Sequence, residues 1–405
     1  MFRILQGDVG SGKTIISIMA ALNTIEAGYQ CGLMAPTGIL AEQHFILFKK
    51  LIEKTNLKLN FSLLTGKTEI KERKKILEDL KNNKINFLIG THALFQKTIQ
   101  FCKLGLVIID EQHKFGVKQR MNLAKKGGDN CDVLLMSATP IPRTMMMTLY
   151  GDMDISKITE KPVNRKKIIT LTKPEDKIKE LWPYIKKEVA SDNQIFWVCP
   201  LIDESQFLNY TSVTKRYDVL NKLYPKKVDI IHGSISKEEK ISVLKKFLKK
   251  KISILVSTTV IEVGIDFPNA NLIIIENADK FGLAQLHQLR GRVGRGTKQA
   301  ICILLFKNTL SKKAIKRLKI LKSTDDGFLI SEEDMKLRGY GDIIGFQQSG
   351  LKYFRIADPV HHEDLFKIAE THIKEVEHDL LKGNKFSFLL KLFDKAEIIN
   401  EVDND

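Results

Sequence analysis

The chain has 405 residues, of which 43% are hydrophobic and 28% charged, an ordinary globular composition with enough apolar side chains for two or three domains. Its 65 Lys and Arg residues exceed its 48 Asp and Glu residues by 17, which suits a polyanionic partner, although a lysine-rich solvated surface or a compositional bias explains the excess equally well. The five cysteines are scattered without a C-x-x-C pair, and no apolar run is long enough to span a membrane, which excludes a disulfide scaffold and an integral membrane protein. We therefore expect buried thiols in a reducing compartment, no signal peptide and a cytoplasmic location.

A glycine-rich loop follows the first predicted strand. Residues 3–6 predict a strand, residues 7–14 read GDVGSGKT, and the apolar run after them predicts a helix. The loop fits G-x-x-x-x-G-K-[ST], in which backbone N–H groups and a helix N-terminus surround phosphate oxygens. The cofactor-binding residues that this pattern predicts are Gly7, Gly10, Ser11, Gly12, Lys13 and Thr14. Lys13 would reach the β- and γ-phosphates and Thr14 would ligate Mg²⁺; a chance glycine turn is the alternative, and the flanking strand and helix disfavour it.

Four further apolar runs in the first part of the chain end in small or polar residues. They cover residues 32–36, 86–90, 106–110 and 133–137, and amphipathic, lysine-bearing segments separate them. Near-continuous apolar strands that alternate with helices predict a parallel sheet covered on both faces. Reactive residues follow the runs at 36–37, 91–92, 110–113 and 137–140. We therefore expect one functional site at the carboxyl ends of these strands.

The acidic pair Asp110 and Glu111 lies at the end of one of these strands and predicts the second element of a nucleotide site. An aspartate there can hold the hydration shell of Mg²⁺, and a glutamate beside it can polarise the attacking water. An acidic pair at the start of a helix is the alternative, and such pairs are common. The phosphate loop upstream favours the catalytic interpretation.

The alternating pattern lapses at residues 161–167, which we interpret as a linker. A second alternating series begins after them. Its apolar runs cover residues 195–199, 228–232, 252–256, 272–275 and 301–305, without a phosphate loop of its own. Beyond about residue 308 the chain becomes helical and lysine-rich. The sequence therefore predicts an α/β fold with two parallel-sheet lobes, residues 1–157 and 168–307, followed by a small, mostly helical C-terminal region, residues 308–405.

Three arginines, Arg290, Arg292 and Arg295, lie among small residues in the second series and are poor core material. Arginines can stabilise charge on a γ-phosphoryl group from across an interface. A basic loop that grips nucleic-acid phosphates is the alternative, and different arginines can serve both roles. An ATPase with such arginines on its second lobe would close on ATP and open after hydrolysis, as a motor does.

Together these segments resemble the motifs of a superfamily 2 helicase motor, which has two RecA-like lobes. The closer resemblance is to the RecG-type ATP-dependent DNA helicases, and it covers most of the chain to about residue 360. The segments that carry it are LQGDVGSGKT (5–14), GTHALFQ (90–96), IIDEQHKFGV (108–117), ATPIPRT (138–144), TTVIEVGID (258–266) and FGLAQLHQLRGRVGRG (281–296). The related transcription-repair coupling translocases share much of this pattern but usually carry a third acidic residue where this chain has Gln112.

The resemblance implies ATP and Mg²⁺ as cofactors and a role for each matching position. The catalytic residues would be Lys13, Asp110, Glu111 and the two arginine fingers, Arg292 and Arg295. The metal ligands would be Thr14 and Asp110, and the further residues near the nucleotide would be Gly264 and Asp266. The residues that couple the ATP site to DNA would be Gln112, His113, Ser137 and Thr139. The track for a DNA strand would be lined by Pro36, Thr37, Thr65, Gly66, Thr91, His92, Ser257 and Thr258.

The segment from residue 334 to 350 resembles the translocation hook of this family, with Arg338 and Gln348 at its charged and amide positions; a glycine turn between helices is the alternative. Three positions differ from the usual pattern: Gly38 replaces a glutamate, Tyr340 a proline and Gln347 an arginine. Family members also carry an N-terminal oligonucleotide-binding wedge domain and an adenine-recognition segment. Because Met1 lies just before the phosphate-loop strand, we expect this chain to lack both and to have a separately encoded wedge region as a partner.

The resemblance thus implies an ATP-dependent DNA helicase, a monomeric double-strand DNA translocase that acts on branched DNA in recombination and replication-fork repair, nominally 3′ to 5′. It would hold DNA mainly through backbone phosphates. The alternatives are a truncated, non-catalytic remnant that binds ATP and nucleic acid, a transcription-repair coupling type of translocase, and an RNA-dependent ATPase.

Overall fold

The structure, a computed structural model, describes residues 1–96, 98–111, 131–137, 153–160, 166–200, 206–258, 267–296 and 298–338, together with residues 365, 368, 369 and 372. Both sheets described below belong to one compact unit, which consists of Met1–Pro142 and Tyr150–Leu337. A second unit consists of Arg143–Leu149 and Arg338–Asp405. No helix within the described ranges is both long enough and apolar enough to cross a bilayer.

The first lobe is a parallel sheet of seven strands in the order β3-β4-β2-β5-β6-β1-β7. The strands are β1 (Phe2–Gly7), β2 (Gln30–Met34), β3 (Phe61–Leu64), β4 (Phe87–Gly90), β5 (Leu104–Ile109), β6 (Asp132–Ser137) and β7 (Asp154–Ile158). The helices are α1 (Lys13–Glu26), α2 (Gly38–Thr55) and α3 (Ile70–Lys81), with a 3-10 helix at His92–Phe95. The central strands are continuous apolar runs because helices cover both faces of the sheet.

The second lobe is a parallel sheet of six strands in the order β10-β11-β9-β12-β13-β8. The strands are β8 (Ile169–Pro174), β9 (Gln194–Val198), β10 (Val228–Ile231), β11 (Ile254–Ser257), β12 (Ala270–Ile275) and β13 (Ile301–Phe306). The helices are α4 (Trp182–Ala190), α5 (Gln206–Leu223), α6 (Lys237–Leu248) and α7 (Leu283–Arg290), with 3-10 helices at Glu175–Leu181 and Ala278–Lys280. Two more helices follow, α8 (Lys312–Ser323) and α9 (Gly327–Arg338).

Each lobe has its own aromatic core. In the first lobe the Phe48 ring of α2 lies 4.9 Å from that of Phe61 and 4.7 Å from that of Phe87. In the second lobe the rings of Phe196, Phe247 and Phe267 lie within 5.0 to 5.3 Å of one another. Such contacts fix the helices on the sheets and so fix the loops at the strand ends.

The prediction of two parallel-sheet lobes is confirmed by both sheet orders. The strands that the sequence analysis did not predict, β3, β7 and β8, all lie at sheet edges. Their side chains are partly exposed, so they lack the continuous apolar run of a central strand. The expectation of buried thiols is wrong for Cys102, which is exposed, whereas Cys31, Cys199 and Cys302 are buried.

Candidate nucleotide site

The phosphate loop joins β1 to α1 through two residues in the left-handed region. Gly10 has φ 74° and Gly12 has φ 97°, a backbone conformation that glycine adopts without the cost of a Cβ clash. A Cβ on Gly7 would meet the Ser11 hydroxyl, which would have to move to make room for it. The Lys13 ammonium donates hydrogen bonds to the carbonyl oxygens of Gly7 at 2.8 Å and Asp8 at 2.9 Å. The loop therefore places a lysine ammonium at the N-terminus of a helix, where anions bind.

Lys13 is the electrostatic centre of the site. Burial lowers its pKa, and the negative charges of Glu111, Asp110 and Asp8 oppose that shift, while the positive charge of Arg295 adds to it. These four charged residues therefore surround one ammonium group. Because Glu111 and Asp110 follow β5, the loop after β1 and the end of β5 form a common site at the same edge of the sheet.

Asp110 is held by three hydrogen bonds. Its backbone N–H donates to the carbonyl of Met34 at 2.9 Å, its Oδ1 accepts from the backbone N–H of Glu111 at 2.9 Å, and its Oδ2 lies 2.9 Å from Nε2 of His44. Glu111 has φ 51°, so this residue is not in a right-handed helical conformation as the alternative interpretation of the acidic pair requires. The carboxylate of Asp110 thus has a fixed orientation beside the phosphate loop.

The donor set at this site fits Mg²⁺. Thr14 supplies a half-buried hydroxyl and Asp110 a carboxylate, and within the described ranges no cluster of three His, Cys, Asp or Glu side chains could hold a metal by itself. Mg²⁺ is usually bound by one or two protein oxygens together with substrate phosphates and waters, rather than by an all-protein cage. Residues Thr14 and Asp110 match that pattern.

Two arginines of the second lobe face this site. Arg292 is 2% exposed, and its burial lowers the pKa to about 10 against the opposing effect of Glu111. Among the described residues no acceptor binds its Nη1. Arg295 is half-buried, donates from Nε to the Gly291 carbonyl at 3.3 Å and adds positive charge at Lys13. A buried guanidinium of one lobe is therefore within electrostatic range of Glu111 of the other.

Arg290, the first of the three arginines in the motif, has a structural role. Arg290 is 2% exposed, and its Nη1 donates to the carbonyls of Leu321 at 2.6 Å and Thr324 at 3.0 Å, where α8 ends. Its Nη1 also lies 3.5 Å from Oδ1 of Asp325. The expectation that arginines are poor core material is wrong at this position because helix-end carbonyls and a carboxylate satisfy the buried charge.

A buried histidine crosses between the lobes. Nε2 of His287 on α7 lies 2.7 Å from Oδ1 of Asp8 in the phosphate loop, and its Nδ1 lies 3.0 Å from Nη2 of Arg290. Since an arginine nitrogen can only donate, Nδ1 accepts and Nε2 carries the proton that is donated to Asp8. A cleft of about 300 Å³ borders both residues. The sequence does not indicate this contact, because Asp8 and His287, although each lies in a recognised motif, are 279 residues apart.

The residues expected along the DNA track lie after the carboxyl ends of the strands, but they differ in exposure. Thr37 caps α2 by accepting a hydrogen bond from the backbone N–H of Leu40 at 3.3 Å, and His92 and Gly66 are exposed. Pro36 and Thr65 are half-buried. Thr91, Ser257 and Thr258 of the track are instead at most 5% exposed, as is Ser137, which is expected to couple the ATP site to DNA. These four side chains are therefore in the interior of the structure.

Several expected site residues lie outside the described ranges. They are Gln112, His113, Thr139, Gly264, Asp266 and Gln348. Arg338 is the last residue of α9.

A phosphate loop on one parallel-sheet lobe, together with the buried Arg292 and the half-buried Arg295 of a second, is the arrangement of two-lobed nucleotide-binding proteins of the helicase class. The sequence profiles that match are DEAD/DEAH box helicase over residues 3–148, helicase conserved C-terminal domain over 176–297, and ATP-dependent DNA helicase RecG, domain 3, C-terminal, over 324–389. The chain belongs to the family of RecG-type ATP-dependent DNA helicases.

Similar proteins carry the same family name. The ATP-dependent DNA helicase RecG of Thermotoga maritima is 46% identical over 379 residues, which cover 93% of this chain and 48% of that protein. The one of Bacillus subtilis is 46% identical over 363 residues, or 89% of this chain and 53% of that protein. A solved structure of RecG bound to a three-way DNA junction matches with a TM-score of 0.75 and 43% identity, covering 90% of this chain and 47% of that one. This chain spans about half the length of these relatives.

Proposed function

We propose that this chain is an ATP-dependent DNA helicase motor that translocates along double-stranded DNA. The observation that carries the proposal is that two arginines of the second lobe act electrostatically on the first: the buried Arg292 interacts with Glu111, and Arg295 with the Lys13 ammonium. A guanidinium is costly to bury, and its position beside the hydrolytic residues suits the charge that develops on a transferred phosphoryl group. Family membership and 46% identity to RecG relatives support the same activity.

In the proposed mechanism each charged residue has one task. Lys13 would leave its loop carbonyls to bind the β- and γ-phosphates, and Thr14 and Asp110 would hold Mg²⁺, which would neutralise phosphate charge. Glu111 accepts a hydrogen bond from the attacking water and orients it. Arg292 and Arg295 stabilise the charge on the γ-phosphoryl group from the second lobe. Hydrolysis then weakens the link between the lobes, which allows them to separate.

DNA would run along the residues that follow the strand ends. Thr37, Gly66 and His92 are accessible in the structure, so we propose direct contacts for them with the phosphate backbone. The hydroxyls of Ser257 and Thr258 are buried, and the backbone N–H of Thr258 already donates to the carbonyl of Ile231 at 3.2 Å, so these two residues would border the track without donating to the DNA backbone. We propose branched DNA as the substrate, because the relative of known structure is bound to a three-way junction. The net charge of +17 favours binding to a polyanion such as DNA.

The proposal also includes the domain limits, which are residues 1–157, 168–307 and 308–405. It further includes a monomeric state, a cytoplasmic location and a wedge region as partner. Lys166 and Lys167, just before the second range, line the same cleft as Asp8 and His287. This position suits a linker that joins the two lobes near the nucleotide.

A triplex-displacement assay tests translocation on duplex DNA. A labelled third strand is annealed to a linear duplex, and its release is followed after ATP is added to the 405-residue chain. We expect release with ATP and none with a non-hydrolysable ATP analogue. A chain that binds the duplex and ATP without releasing the strand would be a nucleic-acid-binding remnant instead.

A further inference from the structure

A histidine outside the recognised nucleotide motifs contacts the carboxylate that we assign to the metal. His44 lies on α2, is 6% exposed, and its Nε2 is 2.9 Å from Oδ2 of Asp110, a residue 66 positions away. An ionised carboxylate can only accept hydrogen bonds, so the Nε2–H of His44 donates to it. Burying a polar imidazole is unfavourable without such a partner. The contact is therefore a specific feature of the fold that the mechanism described above leaves unused.

The contact completes the orientation of the Asp110 carboxylate. Oδ1 accepts from the backbone N–H of Glu111 and Oδ2 accepts from His44, so each oxygen has a donor among the described residues. A carboxylate oxygen has lone pairs for more than one donor, so both oxygens retain capacity for a metal or a metal-bound water. Partners of this kind hold metal-binding carboxylates in place, and their loss weakens metal affinity.

The helix that carries His44 also contacts two other parts of the motor. Thr37, a residue expected on the DNA track, caps its N-terminus, and Ile39 packs into the apolar core cluster of the second lobe. Residues 37 and 44 are separated by about two helical turns, or roughly 10 Å. One rigid helix thus joins the track, the second lobe and Asp110.

We propose that His44 is a positioning residue that fixes Asp110 for Mg²⁺ and links the metal site to the track and to the second lobe through α2. The inference rests on the proposed function in taking Asp110 as the metal ligand. Its consequence is that His44 matters for nucleotide bound with Mg²⁺ and not for nucleotide bound without it.

Two amide variants separate the hydrogen bond from packing. In His44→Gln the amide nitrogen is as many bonds from Cβ as the histidine Nε2, so it can still donate to Asp110. In His44→Asn the amide is one bond shorter and cannot reach. His44→Leu removes the donor but keeps apolar volume, and we expect it to match His44→Asn. Phe48→Leu, on the same helix and in the core, is the control for a general loss of stability.

The measurement is the dissociation constant of a fluorescent ATP analogue, with Mg²⁺ and with EDTA, for each full-length variant. We expect His44→Asn and His44→Leu to weaken binding with Mg²⁺ roughly tenfold or more and to leave binding in EDTA unchanged. His44→Gln should keep most of the Mg²⁺ effect on binding. Phe48→Leu should lower the melting temperature but leave the Mg²⁺ effect unchanged.

Equal Mg²⁺ effects in the wild type, His44→Asn and His44→Gln would overturn the inference, as would an equal loss in both amide variants, since packing alone would then explain the residue. A wild-type chain that binds ATP equally well with and without Mg²⁺ would remove the metal assignment of the proposed function together with the inference.

Discussion

Arg292→Met should raise or preserve the stability of the nucleotide-free chain while nearly abolishing its ATPase activity. The guanidinium is 2% exposed, and no described residue accepts a hydrogen bond from its Nη1. Methionine has a similar length, fills the space with apolar atoms and carries no charge. The substitution therefore removes a buried charge without opening a large cavity.

The magnitude follows from the pKa of Arg292. Burial lowers it from 12.5 to about 10, and at 1.36 kcal/mol per pKa unit this corresponds to about 3 kcal/mol against the charged form. Replacing buried ions by apolar residues of similar volume is often neutral or stabilising by about 1–4 kcal/mol. Loss of an arginine finger lowers turnover about a thousandfold or more. Stability and activity should thus change in opposite directions.

Arg290→Met is the matched control from the same motif. Arg290 is equally buried, but its guanidinium donates to the carbonyls of Leu321 and Thr324 at the end of α8. Its loss would leave these carbonyls without their donor and should destabilise the chain by about 1–3 kcal/mol. Both substitutions replace an arginine that is 2% exposed by methionine, so the change in side-chain size and charge is the same at the two positions.

Thermal unfolding without nucleotide and steady-state ATPase at saturating DNA measure the two effects. The reasoning would be refuted by a melting temperature that falls as far in Arg292→Met as in Arg290→Met. If Arg292 instead grips DNA, turnover of Arg292→Met at saturating DNA would recover and only the DNA requirement would rise.

Two further predictions concern single groups. Glu111→Gln should still bind ATP but should not hydrolyse it, because an amide cannot polarise the water as the carboxylate does; unchanged turnover in steady-state assays would remove Glu111 from the mechanism. A thiol reagent at pH 8 should modify the exposed Cys102 rapidly in the folded chain, whereas Cys31 and Cys302 should react only after unfolding, because burial raises the pKa of each to about 12. Mass spectrometry of the modified chain identifies the sites, and early labelling of Cys31 or Cys302 would contradict their burial.

The sequence predicts the central strands of both lobes well and the edges poorly. β2, β5 and β6 are nearly continuous apolar runs because helices cover both their faces. β3 and β7 lie at the edges of the sheet, where partial exposure removes that signal. A local pattern therefore identifies a strand most readily where burial is complete on both faces, and of the four edge strands only β10 (Val228–Ile231) keeps an apolar run clear enough to be predicted.

The same limit applies to the site. The phosphate loop is a local pattern, so its strand, turn and helix follow from the sequence, and the acidic pair is found because it ends an apolar run. The contacts of His44 and His287 have no local pattern, although His287 lies within the motif 281–296, since the aspartates that the two histidines contact are 66 and 279 residues away. For Ser257 and Thr258 the sequence suggests a role that their burial limits. The resemblance places them on the track, and only the fold shows that their hydroxyls are buried.

The rate of ATP hydrolysis with and without duplex DNA tests most directly whether the two lobes form a DNA-driven motor. The 405-residue chain is assayed with Mg²⁺ and ATP at rising concentrations of duplex, with Glu111→Gln as the blank for contaminating ATPases. We predict a low basal rate that DNA raises strongly and that increasing salt returns towards the basal value, because salt weakens binding to backbone phosphates. A rate that does not respond to DNA, or that equals the Glu111→Gln rate throughout, would contradict a DNA-dependent motor.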